Sequence, residues 1–190
     1  IKAPIVWSLH DMWLLTGGCH YDEGCSRYTK NCGYCKVLSS KVDNDLSRKV
    51  FNNKSRVFSK IERMYVVATS RWTYDCSRKS SLLKSRKHFI LPNPINTNFY
   101  VSHNKKISRE KIGLPQGPKL ILFVANPNDK RKGFGDLVSA ITNSKYSEIE
   151  CVVLGNKNPS ITNSDFKIHY LGHVNDENSM IDIYNSADVL

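Results

Sequence analysis

The chain has 190 residues, of which 40% are hydrophobic and 24% charged, a balance that supports a packed core and excludes a disordered chain. Its formal net charge of +11 favours anionic partners, whether nucleic acid, phosphorylated small molecules or an anionic membrane surface, against the plainer reading of a basic solvated surface. The longest apolar run, LILFVA at 120–125, is far shorter than the roughly 20 residues of a membrane-spanning helix.

The opening IKAPIVWSLHDMW lacks the charged and apolar regions of a signal peptide, and both ends read as truncations, so a fragment is expected. A strand is predicted over 4–9, ending at the polar pair His10-Asp11, where side chains at a strand end face a ligand. The loop 16–35, TGGCHYDEGCSRYTKNCGYC, then carries Cys19, Cys25, Cys32 and Cys35. Only the last step of its C-x5-C-x6-C-x2-C spacing is typical of a zinc knuckle. Four thiolates suffice for a closed structural zinc site, with His20 able to replace one; two disulfides or unligated thiols are the other readings. Cys76 and Cys151 sit in apolar segments and read as packing residues.

Residues 39–63 predict one or two amphipathic surface helices with Val42, Leu46, Val50, Val57, Phe58 and Ile61 as apolar positions. MYVVATS (64–70) reads as a buried strand, and Ser70 as the cap of a helix beginning RWTYDCSRKSSLL. The densest basic stretch, RKSSLLKSRKH at 78–88, suits either an amphipathic helix touching phospholipid headgroups or a solvated face. KHFILPNPI is a further strand stopped by its prolines, and a boundary follows near 92–105. Beyond it, strands at 119–125, 149–155 and 167–174 alternate with helices at 133–144 and 178–187. That alternation predicts βαβ units, a parallel sheet and a Rossmann-like half.

The loop ANPNDKRKGFGDL at 125–137 leaves the carboxyl end of a strand, where open α/β sheets bind ligands. It sets Arg131 and Lys132 just before a helix starting at Gly133, an arrangement suited to a diphosphate; a basic loop that merely enters a helix is the alternative. Neither G-x-x-x-x-G-K-[ST] nor G-x-G-x-x-G is present.

In order along the chain, PIVWSLHDMWLLTGGCHY, VVATSRWTYDCSRKSSL, ILPNPINTNFY, REKIGLP, LFVANPNDKRKGFGDL, VVLG and LGHVNDENSMIDIYNSADVL resemble glycosyltransferase family four. The resemblance covers nearly the whole chain and is nearest to bacterial exopolysaccharide and capsule glycosyltransferases with a Cys-rich insertion after the His-Asp pair. It implies a GT-B enzyme, α/β, made of two Rossmann-like domains with parallel sheets facing across a cleft. Such an enzyme moves a sugar from a nucleotide-sugar donor to a glycan or lipid-linked acceptor with retention and needs no cofactor for catalysis. Residues 1–91 would be the C-terminal part of the acceptor-side domain, 92–104 the hinge and 105–190 the N-terminal part of the donor-binding domain.

Lys132 matches the family's Lys-Gly lysine that holds the donor diphosphate, with Arg131 and Gly133 beside it. His10 matches the histidine that reaches the reacting sugar, a structural histidine being the other reading. Asp11 and Asn126 are the further cleft-facing candidates. Asn126 stands where many relatives carry an arginine, which leaves Arg131 to supply that charge. The family's glutamate pair would follow Leu190 and its glycine-rich acceptor-side loop would precede Ile1, so this chain alone is expected to be inactive. The resemblance implies a cytoplasmic enzyme, peripheral at most on the inner face of the plasma membrane, with no nucleic-acid partner and a zinc-braced loop. The competing class is a zinc-stabilised, basic nucleic-acid-binding module built from the charge, the cysteines and Tyr21, Tyr28 and Tyr34.

Overall fold

Among the described residues, short apolar runs form two three-stranded parallel sheets, because each strand is followed by enough chain to cross back over the sheet before the next. The computed structural model describes residues 3–156 and 165–190. The chain divides into two compact units, Ile1–Pro94 and Ile95–Leu190. The expected α/β architecture with parallel sheets and Rossmann-like parts is what the structure shows.

In the first unit β1 (Ile5–Leu9), β2 (Met64–Ala68) and β3 (Lys87–Ile90) lie in the order β1-β2-β3. Leu9 pairs with Ala68, and Ala68 with Ile90, so the three strands end at one level. One helix, α1 (Leu46–Phe58), occupies the 39–63 segment, capped by the side chain of Asp45, which accepts from the Arg48 N–H. Its buried row is Ser47, Phe51, Lys54 and Phe58, spaced four, three and four residues apart. Leu46 and Val57 are therefore exposed rather than apolar-facing, and Val42 lies in irregular chain before the helix. The pair Asn52-Asn53 is tolerated because both side chains lie on the exposed face.

Ser70 caps α2 (Arg71–Lys79) as expected, its hydroxyl accepting from the Thr73 N–H at 3.2 Å. The basic stretch 78–88 does not form one continuous helix. α2 stops at Lys79, a turn carries Leu82 and Leu83 into the core, and Lys87-His88 already belong to β3. Arg86 is spent on main-chain oxygens, donating to Ile61 at 2.7 Å and to Phe58.

In the second unit β4 (Lys119–Val124), β5 (Ile149–Leu154) and β6 (Ile168–Gly172) run parallel in the order β4-β5-β6, again ending level, with Val124 beside Leu154 and Leu154 beside Gly172. Val189 forms a parallel bridge with Ile121 on the other edge of β4. The helices are α3 (Lys105–Lys111), α4 (Phe134–Thr142) and α5 (Glu177–Ser186). The polar sequence of α3 conceals it, since its one large apolar residue, Ile107, is 54% exposed. What holds it is buried polarity. Arg109, only 4% exposed, donates to Ser186 O (2.8 Å), Pro118 O (3.1 Å) and the Asp188 carboxylate (2.7 Å). Ser108 and Lys111 both bond to Asp182 of α5.

Most of the expected linker is fastened to this unit as well. The Asn185 amide donates to Val101 O at 3.0 Å and accepts from the His103 N–H at 2.8 Å, while the Tyr100 and Tyr184 rings meet edge to face. No helix among the described residues is long and apolar enough to cross a membrane.

Arg109→Ala leaves Asp188 with Lys105 and the Leu120 N–H but strands the carbonyls of Ser186 and Pro118, and is expected to cost about 1–3 kcal/mol in urea unfolding. Acid should act on the same pair. Burial opposes the Asp188 charge, but hydrogen bonds from Lys105 and the Leu120 N–H, with the Lys105 and Arg109 charges, hold its pKa at about 2. A depressed carboxylate contributes stability that is complete above its ordinary value near 3.8 and is lost as pH falls through about 2. Unfolding curves between pH 5 and about 2 should therefore lose part of their slope in Asp188→Asn.

Candidate functional site

The level end of the first sheet sets two polar residues just beyond β1. His10 is exposed there, directly after the buried Leu9. Asp11 turns back on the chain: Oδ1 accepts from the Trp13 N–H at 2.7 Å and Oδ2 meets His20 Nδ1 at 2.6 Å. Burial works against its charge, but the His20 and Trp13 hydrogen bonds prevail and keep the carboxyl below its usual range. The Met12 N–H also donates to His20 O at 2.9 Å, so the Cys-rich loop is fastened to the strand end twice. Lys54, from α1, reaches beneath this corner and donates to Thr16 O at 3.0 Å and to Trp13 O. Its ammonium lies 3.6 Å from the Trp13 ring centroid, and burial lowers its pKa to about 8.

All six cysteines are free thiols, so no disulfide ties the loop. Among the described residues no group of three or more His, Cys, Asp or Glu side chains is gathered to hold a metal ion. Cys19, Cys25 and Cys35 nevertheless lie near enough to Cys32 for their charges to add to burial in raising its pKa, and hydrogen bonds also brace the loop. Cys32 Sγ accepts from the Gly17 N–H at 3.1 Å. The Cys35 N–H donates to Asp45 at 2.8 Å, where Ser47 Oγ and the Arg48 N–H also converge. Burial opposes the Asp45 charge, yet these donors outweigh it and hold the carboxyl far below its usual range. Between the last two cysteines Gly33 has φ 140°, and a Cβ there would sit 2.5 Å from Asp43 O. Burial pushes the Cys32 thiol up to about 11 and the Cys151 thiol up to about 12, as suits packing residues rather than nucleophiles. Cys76 is buried likewise.

In the second unit the strand ends converge on a cavity of about 280 Å³. Asn126 follows β4, Gly155 and Asn156 follow β5, and Gly172 and His173 close β6, with Met180 of α5 behind them. Gly155 has φ 148°, and a Cβ on it would lie 2.6 Å from Ala125 O, so a larger residue would force the ends of β4 and β5 apart. Sequence reasoning named Asn126 but missed Gly155, Asn156 and His173. The signal was present as Gly-Asn after the run at 149–154 and as Gly-His closing the run at 168–172. A larger hollow of about 530 Å³ lies at the starts of β4 and β5, around Lys119, Tyr146 and Ile149. It is at the opposite end of the sheet from where open α/β folds take ligands.

The basic loop beside the smaller cavity is itself ordered by side chains. Asn126 Oδ1 accepts from the Asn128 N–H at 3.0 Å, and Asp129 initiates a short 3-10 turn over Lys130–Lys132. Arg131 forks onto Asp129, with Nε 3.0 Å from Oδ1 and Nη2 2.7 Å from Oδ2. Lys132 is exposed, and no carboxylate among the described residues lies within ion-pair distance of it. Gly133 joins the turn to α4.

No family model matches the chain. A stretch of 38 residues, 20% of the chain, is 37% identical to part of a protein from Escherichia coli (strain K12) named as a colanic acid biosynthesis glycosyl transferase, WcaC. The match spans 9% of that protein's length and points to glycosyl transfer at a coarse level.

If Asp45 is what braces the Cys-rich loop, Asp45→Asn should expose Cys32. Its reaction with a thiol reagent at neutral pH is expected to quicken at least about tenfold, the equivalent of one lost charge-assisted hydrogen bond. An unchanged rate would assign the bracing elsewhere.

Proposed function

We propose that the chain is part of a retaining glycosyltransferase that moves a sugar from a nucleotide-sugar donor to a glycan or lipid-linked acceptor in polysaccharide or glycoconjugate assembly. The observation that carries the reading is the stretch of likeness to WcaC. The site on the second unit supports it, because a cavity at the carboxyl ends of β4, β5 and β6 is where an open α/β sheet takes a nucleotide.

On this reading the donor diphosphate rests against Lys132 and the entry to α4. The leaving group is a nucleoside diphosphate, so negative charge grows on its bridging oxygen as the sugar departs. A fixed ammonium beside that oxygen stabilises the transition state more than the ground state. Lys132 suits the task as an exposed point charge. Arg131 contributes differently, since its pairing with Asp129 stiffens the loop that presents Lys132. The edges of Asn126, Asn156 and His173 supply polar groups around the nucleotide, and Gly155 keeps the strand ends close enough to form the cavity. His10 is the residue of the first unit assigned to the acceptor side.

Calorimetric titration of the chain with UDP- and GDP-sugars tests this. Binding of one nucleotide class is expected, with Lys132→Ala weakening it roughly 10- to 100-fold, as for loss of one charge-assisted contact to phosphate. Salt-sensitive oligonucleotide binding with no nucleotide-sugar binding would overturn the reading.

A further inference from the structure

We propose that the outer face of α1, with the loop at its amino end, docks on an anionic lipid bilayer. The surface lies within the first unit and does not depend on the glycosyl-transfer reading.

Charge divides unequally between the two units. Ile1–Pro94 holds 17 Lys and Arg against 7 Asp and Glu, a formal +10, whereas Ile95–Leu190 holds 11 against 10, a formal +1. A field that one-sided draws the first unit toward a negatively charged partner. Residues 36–60 concentrate it, with seven Lys or Arg and two aspartates. Asp43 is paired with Arg48, while Asp45 and Lys54 are buried. That leaves Lys36, Lys41, Lys49, Arg56 and Lys60, all exposed.

The register of α1 sets its share of these side chains in rows. Behind the buried row of Ser47, Phe51, Lys54 and Phe58, a step back of one residue turns about 100° around the helix. That step gives Leu46, Val50, Asn53 and Val57, of which Leu46 and Val57 are 63% and 45% exposed and Val50 is half-buried. A second step back gives Lys49, Asn52 and Arg56. The helix thus shows solvent an aliphatic row bordered by a basic one. The loop before it repeats the pairing, with Val37, Leu38 and Val42 exposed beside Lys36 and Lys41. It is held at the amino end of α1 by the Cys35 N–H to Asp45 bond and by the Arg48–Asp43 pair.

The mixture selects the partner. Nucleic-acid phosphates would engage the cations and leave the aliphatic row idle. A bilayer uses both sets, since the aliphatic side chains enter the boundary of the acyl region while Lys and Arg stems lie along it and keep their charges at the level of the phosphates. Affinity of this kind scales with the apolar area buried plus the attraction to anionic lipid, so a short aliphatic row and a modest basic row act together where neither suffices.

Flotation of the chain with vesicles tests this. The chain should rise with mixed phosphatidylglycerol–phosphatidylcholine vesicles, stay behind with pure phosphatidylcholine, and detach as salt is added. The double change Lys49→Ser with Arg56→Ser should weaken binding roughly tenfold or more, and Leu46→Ser with Val57→Ser should weaken it as well. All four positions are exposed, and circular dichroism checks that the variants keep the fold. In nanodiscs of the mixed lipid carrying a gadolinium chelate, the methyl signals of Leu38, Leu46 and Val57 in the native chain should broaden ahead of the other methyl groups of the first unit. That map needs no variant. Failure to float with anionic vesicles, or broadening centred elsewhere, overturns the proposal. A lipid-free dimer lost in Leu46→Ser with Val57→Ser would overturn it in favour of a second copy of the chain. An oligonucleotide that displaces the vesicles and binds the Leu46→Ser, Val57→Ser chain undiminished would overturn it in favour of nucleic acid.

Discussion

The corner of the first unit depends on satisfying the backbone of a loop that has no sheet and little helix to satisfy it. Residues 16–44 are mostly exposed or half-buried, but Thr16, Gly17, Tyr28, Cys32 and Gly33 are buried, and each buried N–H or C=O left unmatched would cost on the order of 1–3 kcal/mol. Two charged residues of the α1 region divide that work by chemistry. Asp45, which can only accept, gathers N–H groups from Cys35 and Arg48 and the hydroxyl of Ser47. Lys54, which can only donate, takes the carbonyls of Trp13 and Thr16. Both are buried, at 8% and 7% exposure; the loop's donors favour the Asp45 charge, whereas at Lys54 burial lowers the pKa. Asp45 has the additional benefit of sitting at the amino end of α1, where the helix dipole favours negative charge.

This arrangement was not legible in the sequence. A loop without a core needs a brace, and from sequence alone four thiols are the conspicuous candidates. The aspartate that does the bracing looks like an ordinary helix cap, and the lysine looks like a solvated residue in a basic helix. Only the register of α1 turns Lys54 inward, because the buried row falls on residues 47, 51, 54 and 58. The same logic hides α3. KKISREK reads as solvent-exposed chain, yet Ser108 and Arg109 are buried and carry the contacts that fix it. Basic composition likewise concealed the turn at 80–85, where Leu82 and Leu83 point inward between lysines and arginines. The strands were legible for the opposite reason. Central strands of a parallel sheet are buried on both faces, so their apolar runs carry their own signal, as in VVL at 152–154.

Arg131, Lys132 and Gly133 could be named as a basic loop entering a helix, and other candidates where a residue follows a strand directly. His10, Asp11 and Asn126 could be named because each stands within two residues of a strand end. Gly155, Asn156 and His173 satisfy the same condition, but grouping them with Asn126 requires knowing that β4, β5 and β6 are neighbours ending at one level. His20 lies eleven residues beyond Leu9, and nothing in the intervening sequence announces that the loop returns to that strand end.

Both strand ends share one division of labour between charges. In the second unit Asp129 engages the guanidinium of Arg131, which orders the turn, and Lys132 remains exposed at its tip. In the first unit Asp11 engages one nitrogen of His20, which orders the ring, and the other nitrogen faces solvent. A flexible side chain pays ordering entropy when it meets a ligand, of order 1 kcal/mol for a long one. Holding the loop or the ring with a neighbouring carboxylate moves part of that cost into folding. The two carboxylates therefore lower the positive charge each loop presents and in exchange fix where the remaining polar group stands. For any ligand recognised at single atoms rather than by bulk attraction, position is the scarcer quantity.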